Sequence, residues 1–286
     1  MSITVERLGS SFVAEVHGVD IENLSDADWT VLHRAYLENK ILVIPDQDLS
    51  VHAFAALGAR FGEVVRHPVA KFAHPDEPDV MMLSNDTSYG KPVGVKDAGS
   101  FWHSDRSYMQ RTSNETMLYS VEIPDEGGDT YFADLEAAYE DLPDATKRRI
   151  GGLRYISHYR WTKDRDDPES RWSFMTPEER ANTPPTDRPV VRIHPETGRK
   201  ALFVFPGITT GVKGIVGMEE AESDALLEDL YGHLTQDKFQ YRFKWGGPGT
   251  VLIWDNRCVM HKATTKQLSA DKIRTLYRIS TLGGVP

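Results

Sequence analysis

Only one cysteine, Cys258, occurs among 286 residues. An intrachain disulfide is therefore excluded, and a reducing compartment such as the cytoplasm is expected. No apolar run approaches the roughly 20 residues that a membrane helix needs. The longest ones, such as Ile41–Ile44, are strand-sized. The opening stretch MSITVERLGS places Glu6 and Arg7 where a signal peptide would carry its apolar core. Internal repeats and low-complexity tracts are missing as well. Positive charge is scarce: 33 Lys and Arg stand against 43 Asp and Glu, a net charge of -10. Such a chain repels phosphate backbones and anionic lipid, so neither nucleic acid nor a membrane surface is an expected partner. What is present is ordinary for a globular protein, with 40% apolar and 27% charged residues. The length would allow two domains, but all-β barrels and sandwiches run this long as one unit. One domain over residues 1–286 is expected.

The first 65 residues read as α/β. Ile3–Arg7 and Phe12–Val16 are short strands. Ser25 begins a capping-box helix whose Trp29, Leu32, Tyr36 and Leu37 recur at helical spacing. Ile41–Ile44 is a buried strand, and Ser50 caps a second helix that Gly62 stops. Strands then dominate: Val80–Leu83, Phe101–Asp105, Glu115–Ile123, Thr130–Ala133, Leu153–Ser157, Val190–His194, Ala201–Phe205, Phe239–Trp245, Thr250–Trp254 and Lys272–Leu282. Two helical stretches interrupt them, Leu135–Leu142 running on into Ala145–Ile150, and Glu219–Leu234 with Ala225, Leu226, Leu230 and Leu234 on one face. Many short strands with long crossings predict a mainly β barrel or jelly roll with flanking helices. Thr162–Arg188 is dense in charge and proline and is expected to be a lid-like insertion.

The sharpest chemical feature is Trp102-His103-Ser104-Asp105. On a strand, residues two apart face the same way, so His103 and Asp105 would project side by side. A distant third ligand, His261, would complete two histidines and one carboxylate, a set diagnostic of non-haem Fe(II) oxygenases. A surface pair at His103 and Asp105 is the plainer alternative. Further on, Arg274 and Arg278 share a face by their even spacing. Two guanidiniums on an apolar strand are either solvated or matched to anions, and a carboxylate suits their fork.

Together, Trp102–Asp105, Gly127-Gly128-Asp129-Thr130, Trp254-Asp255-Asn256-Arg257 with His261, and the Arg274/Arg278 pair resemble the TauD/TfdA family of Fe(II)- and 2-oxoglutarate-dependent dioxygenases. The resemblance runs from Gly18 to Gly283. It implies a double-stranded β-helix, a form of jelly roll, with His103, Asp105 and His261 as iron ligands. Thr130 and Arg274 would hold the distal carboxylate of the co-substrate 2-oxoglutarate, with dioxygen as the second co-substrate. Arg278, helped by His67, would meet an anionic group on a small organic substrate: a sulfonate, carboxylate or sulfate ester. Asp105 favours hydroxylation over halogenation, since halogenating relatives lack that carboxylate. Hydroxylation could also lead to C–S or C–O cleavage. Ala70, Gly99 and Ile208 depart from the pocket of taurine-specific members. Two other readings are carried forward: a desaturase or other oxidative tailoring enzyme, and a zinc hydrolase on the same barrel. The subunit count, including a homo-oligomer, stays open.

Overall fold

The computed structural model describes residues 3–9, 11–66, 72–87, 94–95, 99–159, 176–206, 212–269 and 271–286, without the side chains of residues 179 and 180. Strands β1 (Thr4–Arg7) and β2 (Val13–His17) lead into helix α1 (Asp26–Asn39), strand β3 (Ile41–Ile44) and helix α2 (Val51–Phe61). Strands β4 (Ala73–His74), β5 (Glu77–Ser84), β6 (Ser113–Glu122) and β7 (Thr130–Asp134) follow, then helices α3 (Leu135–Glu140) and α4 (Asp144–Ile150). Beyond them come β8 (Arg154–Ser157), α5 (Pro177–Asn182), β9 (Thr186–Pro189), β10 (Val191–Ile193), β11 (Lys200–Leu202) and β12 (Val212–Ile215). The chain closes with α6 (Glu220–Leu234), β13 (Gln240–Phe243), β14 (Val251–Asp255), β15 (Val259–Ala263) and β16 (Thr275–Leu282).

The large sheet has eight strands in the order β1-β2-β3-β14-β6-β16-β5-β4. A smaller one has the order β13-β7-β15. Period-two alternation along the central strands explains how the layers assemble. Ile41 and Val43 of β3, Leu118 of β6, and Leu252 and Trp254 of β14 join a core with Phe132 of β7 and Val259 of β15. Their neighbours Leu42, Ile44, Met117, Tyr119, Val251 and Ile253 face the opposite way, onto Leu32 and Tyr36 of α1 and Phe54 and Leu57 of α2. A strand buried on both faces reads as an unbroken apolar run, which is why β3 and β14 do. Each such side chain contributes about 1.5–3 kcal/mol by leaving water. Sheets sharing one core, with α1 and α2 against the other face of the large one and α3, α4 and α6 packed into the shared core, make a jelly roll, as the sequence predicts.

The helix starts are as read. Ser25 Oγ accepts from Asp28 N at 3.1 Å, and Ser50 Oγ from Ala53 N at 3.1 Å. Other boundaries differ. The expected run through Leu135–Ile150 breaks at Pro143, which caps α4 and cannot continue α3. Leu227, not Ala225, lies on the buried face of α6. Phe239 belongs to a short 3-10 turn ahead of β13. Phe203–Phe205 stay buried but leave the strand after Leu202. Of the insertion expected at 162–188, residues 162–175 lie outside the described residues. The rest holds α5 and β9, and β9 pairs with β8 from Arg154↔Pro189 to Ser157↔Thr186.

Candidate active site

His103 and Asp105 do not lie on a continuous strand. His103 makes a single antiparallel bridge to His261 of β15, N–H to carbonyl in both directions at 3.0 and 2.8 Å. The chain then turns at once: Ser107 N donates to Ser104 O at 3.3 Å, and Arg106 adopts φ 54°. The shared direction of His103 and Asp105 comes from a bridge followed by a turn. Gly99 enters the same construction. With φ 72° it takes a backbone shape that side chains rarely adopt, and a Cβ there would stand 2.6 Å from His103 Cε1.

The three side chains converge. His103 Nε2 is 3.8 Å from Asp105 Oδ1, His261 Nε2 is 3.9 Å from Asp105 Oδ2, and the imidazole centroids are 4.2 Å apart. These spacings are too long for hydrogen bonds. They suit ligand atoms grouped around one ion, and all three lie within 4.8 Å of one another. His103 Nδ1 donates to Phe101 O at 2.8 Å, which fixes the tautomer with Nε2 free. Among the described residues His261 Nδ1 is buried with no hydrogen-bond partner, and its Nε2 stands 3.9 Å from that carboxylate. A buried imidazole left this way is costly unless something binds it. Burial pushes both imidazoles below their ordinary value, and His103 beside His261 pushes the latter further. Burial alone would raise the Asp105 carboxyl. The Arg278 guanidinium, the two imidazoles and the Thr116 hydroxyl outweigh it and hold it well below the usual carboxylate range. Two neutral nitrogens and one fixed carboxylate make a donor set that fits a first-row divalent metal.

Sequence reading left out the residues that brace this set. Thr116 Oγ1 of β6 donates to Asp105 Oδ2 at 2.6 Å. Asn256, fully buried, accepts from Asp105 N and from Trp254 Nε1, both at 3.2 Å, and donates to Thr116 Oγ1 at 2.9 Å. Its carbonyl takes the Ser104 hydroxyl at 2.8 Å. From β9, Arg188 donates to Ser107 O at 3.0 Å and Gln110 O at 3.3 Å, and Thr186 to Tyr108 O at 3.0 Å. The rings around the imidazoles are Phe101, Trp254 and Phe132. Trp102, next to His103 in the chain, carries Lys262 Nζ 4.5 Å from the centre of its ring.

Arg278 of β16 reaches Asp105 Oδ2 at 3.0 Å. Arg274, just before that strand, is buried, and no carboxylate lies within ion-pair distance of it among the described residues. Its Nε has no hydrogen-bond partner. Burial lowers its pKa to about 10, against the weaker pull of Asp129. Asp129 itself is paired with Arg242 at 2.6 Å. The Arg274 stem lies over Gly128, where a Cβ would meet Arg274 Cδ at 2.7 Å. Its guanidinium stands 5.6 Å from the Trp245 ring, and Trp245 Nε1 points at Thr130 Oγ1 at 3.4 Å. Thr130 thus accepts from the indole and keeps its own proton to donate. A buried cation and a buried hydroxyl on the same tryptophan side chain are donors that suit a carboxylate. His67, Ala70 and Ile208 lie outside the described residues.

A second cluster, His194, Asp255 and Cys258, brings metal-ligating types together but is already saturated. Asp255 accepts from His194 Nε2 at 2.9 Å and from Arg257 Nε and NH2 at 2.7 Å. His194 Nδ1 accepts from Glu196 N and Thr197 N. Burial pushes the Cys258 thiol well up, so no thiolate is on offer. The cluster braces the turn that presents Asn256.

The comparisons agree with this geometry. The family described as "Taurine catabolism dioxygenase TauD, TfdA family" matches residues 4–280. An alpha-ketoglutarate-dependent 2,4-dichlorophenoxyacetate dioxygenase of Burkholderia sp. (strain RASC) is 33% identical, over 99% of this chain and 95% of that protein. A crystal structure of a taurine dioxygenase from Burkholderia xenovorans superposes with a TM-score of 0.80 at 34% identity, covering 100% of this chain and 91% of that one. The crystal structure of AAD-2 in complex with Mn(II) and N-oxalylglycine gives 0.78 at 27% identity, covering 100% and 99%. The chain belongs to the TauD/TfdA family. It is an oxidoreductase of the alpha-ketoglutarate-dependent dioxygenase class, alpha-ketoglutarate being 2-oxoglutarate. That class sets aside a zinc hydrolase. Among the described residues no helix is long and apolar enough to cross a membrane.

Proposed function

We propose that the protein is an Fe(II)- and 2-oxoglutarate-dependent hydroxylase of a small anionic organic molecule, a sulfonate, carboxylate or sulfate ester. Its metal ligands would be His103, Asp105 and His261. The observation that carries the reading is the buried Arg274, with no carboxylate in ion-pair range among the described residues, sharing the Trp245 side chain with Thr130, which is itself in register with Ala263, two residues from His261 of the convergent His-Asp-His set. A metal hydrolase has no use for that cation. Bound iron would supply dioxygen activation coupled to oxidative decarboxylation of 2-oxoglutarate. The chain's own groups do the positioning. Thr116 and Arg278 hold Asp105 Oδ2, so the carboxylate is ionised and its orientation set. Arg274 and Thr130 receive the distal carboxylate of 2-oxoglutarate. Arg278, with His67, receives the anion of the primary substrate once the metal shares Asp105. The namesake substrates of the two relatives, a phenoxyacetate and taurine, support an anionic group on the substrate. A cytoplasmic location and a single catalytic domain belong to the same reading. The buried lone Cys258 and the family match along the chain support them.

The test is succinate release over a panel of sulfonates, phenoxyacetates and sulfate esters, with Fe(II) and 2-oxoglutarate each omitted in turn. Turnover should need both and should be confined to anionic molecules. Product mass separates hydroxylation from desaturation, since one adds an oxygen atom and the other removes two hydrogens. Neutral molecules turning over as well as acids would sink the substrate reading. Asp105→Ala should abolish coupled turnover and weaken Fe(II) binding, and full activity in that variant would remove the metal assignment.

A further inference from the structure

Arg106 follows Asp105 directly and is the third residue of the Ser104–Ser107 turn, with φ 54°. Turns of this shape favour glycine or asparagine there, because a Cβ is strained at positive φ. The backbone is held on both sides. Met109 N donates to Arg106 O at 2.9 Å, and Arg188 from β9 grips Ser107 O at 3.0 Å. An arginine is thus kept where its backbone is unfavourable, and such outliers cluster at ligand clamps. Its side chain is only partly exposed, and its Nε is buried with no hydrogen-bond partner among the described residues. No carboxylate forms an ion pair with it among the described residues; the adjacent Asp105 is taken by Arg278 at 3.0 Å. Electrostatically it sits within reach of Asp105 and Arg278, with Tyr108 and Arg111 as the other titratable neighbours. The Tyr108 ring packs on Tyr159 at 4.3 Å beside it.

We infer that Arg106 is a second anion contact of the primary-substrate pocket, so that the preferred substrate is a diacid, one acidic group meeting Arg278 and the other Arg106. The inference rests on the reading of Arg278 as a substrate contact and adds to it. Arg278 pairs with Asp105 at 3.0 Å, Arg106 follows Asp105 in the chain with no carboxylate partner among the described residues, and Asp105 is a proposed metal ligand. Each guanidinium then needs its own anion from the substrate, because a desolvated cation without one is unfavourable. A planar fork held on a fixed turn gives the second contact direction as well as charge.

The experiment uses the full chain loaded with Fe(II) and 2-oxoglutarate under nitrogen, and reads binding by calorimetry. The probes are 4-carboxyphenoxyacetate, its ring monoamide 4-carbamoylphenoxyacetate, and the diamide. An aliphatic pair, 3-sulfopropanoate and 3-sulfopropanamide, repeats the comparison. Wild-type protein should bind each diacid roughly ten- to a hundredfold more tightly than its monoamide, the effect of one desolvated charge pair. R106Q should bring the two to parity while leaving the monoamide and 2-oxoglutarate affinities within a few-fold. R106K, which keeps the charge and loses the fork, should fall between. Equal binding of diacid and monoamide by wild type, no binding of any diacid, or an unchanged ratio in R106Q overturns the assignment of Arg106. If the monoacid still outbinds the neutral diamide, the Arg278 reading survives that failure. If the diamide binds as well as the acids, both fall together.

Discussion

A buried guanidinium without a counter-ion is the most informative single residue in the chain. Among the described residues no carboxylate meets the charge of Arg274, and on the proposed reading Thr130 marks where the co-substrate carboxylate would sit. Arg274→Ala should therefore remove about 3–5 kcal/mol of co-substrate affinity. The KM for 2-oxoglutarate should rise far more than that for the primary substrate, and the reverse pattern would exchange the roles of Arg274 and Arg278. Gly128 offers an independent check on the same contact. Alanine there must hold φ 71° and press a methyl against the Arg274 stem. The Gly128→Ala protein should melt earlier, losing on the order of 1–2 kcal/mol, and should show the same selective defect for 2-oxoglutarate. A variant with normal 2-oxoglutarate kinetics would mean the stem moves aside freely.

At the scale of elements, the site is built from one bridge, one turn and two strand ends, and the turn is the part with the least support of its own. Asn256, in the turn just after β14, holds it through the Asp105 amide, the Ser104 hydroxyl and Thr116. Asn256→Ala should fold but bind Co(II) or Fe(II) roughly 10–100-fold more weakly, the usual effect of removing a group that orients a metal ligand. Unchanged metal affinity would show that Thr116 suffices. The same scale explains what the sequence disclosed. Strands β3 and β14 were legible because two-sided burial leaves an apolar run of the right length. The pairing of His103 with Asp105 was legible from spacing alone, but the strand inferred for Phe101–Asp105 was not there. A two-residue spacing does not distinguish a pleat from a bridge followed by a turn. Nothing in the local sequence announces the positive φ at Arg106, because arginine carries no turn preference. Asn256 was visible within a motif but not as a brace, since two of its partners, Asp105 and Thr116, lie 151 and 140 residues away. Arg274 and Gly128 were each quoted, and only the fold shows that one lies on the other.

For the molecule as a whole, charge and pH act through different groups. A net charge of -10 repels an anionic substrate at long range, so recognition must be local. Raising ionic strength from low values should leave kcat/KM for an acid unchanged or modestly higher as that repulsion is screened. A steep fall would reveal an attractive field around the pocket mouth. Global stability has its own titrating group in Glu115 of β6. Burial raises it to about 7 despite the opposing pull of Arg257, and Asp255 and Glu196 push the same way as burial, while the Thr281 hydroxyl opposes. Tyr36 of α1 faces it at 3.4 Å. The folded pKa lies above the unfolded one, so the folded state keeps a proton that the unfolded chain releases. This contribution is full below about pH 4.5 and is lost as pH rises through 7. Glu115→Gln should gain on wild type by up to about 3 kcal/mol between pH 5 and pH 8 in denaturant midpoints, and a pH-independent difference would refute the assignment. The order of strands has one more consequence. β16 is made last, yet it sits between β6 and β5 in the large sheet. A ribosome-held chain must wait with both those edges open until residue 282 has emerged, exposing backbone that invites mispairing. His261 and Arg274 follow His103, Asp105 and Thr130 in the chain, so a chain stopped before them would lack the proposed third metal ligand and the proposed co-substrate cation. On the proposed reading the oxidising centre could be charged only after synthesis has cleared both, and a prematurely stopped chain would carry none of its reactivity.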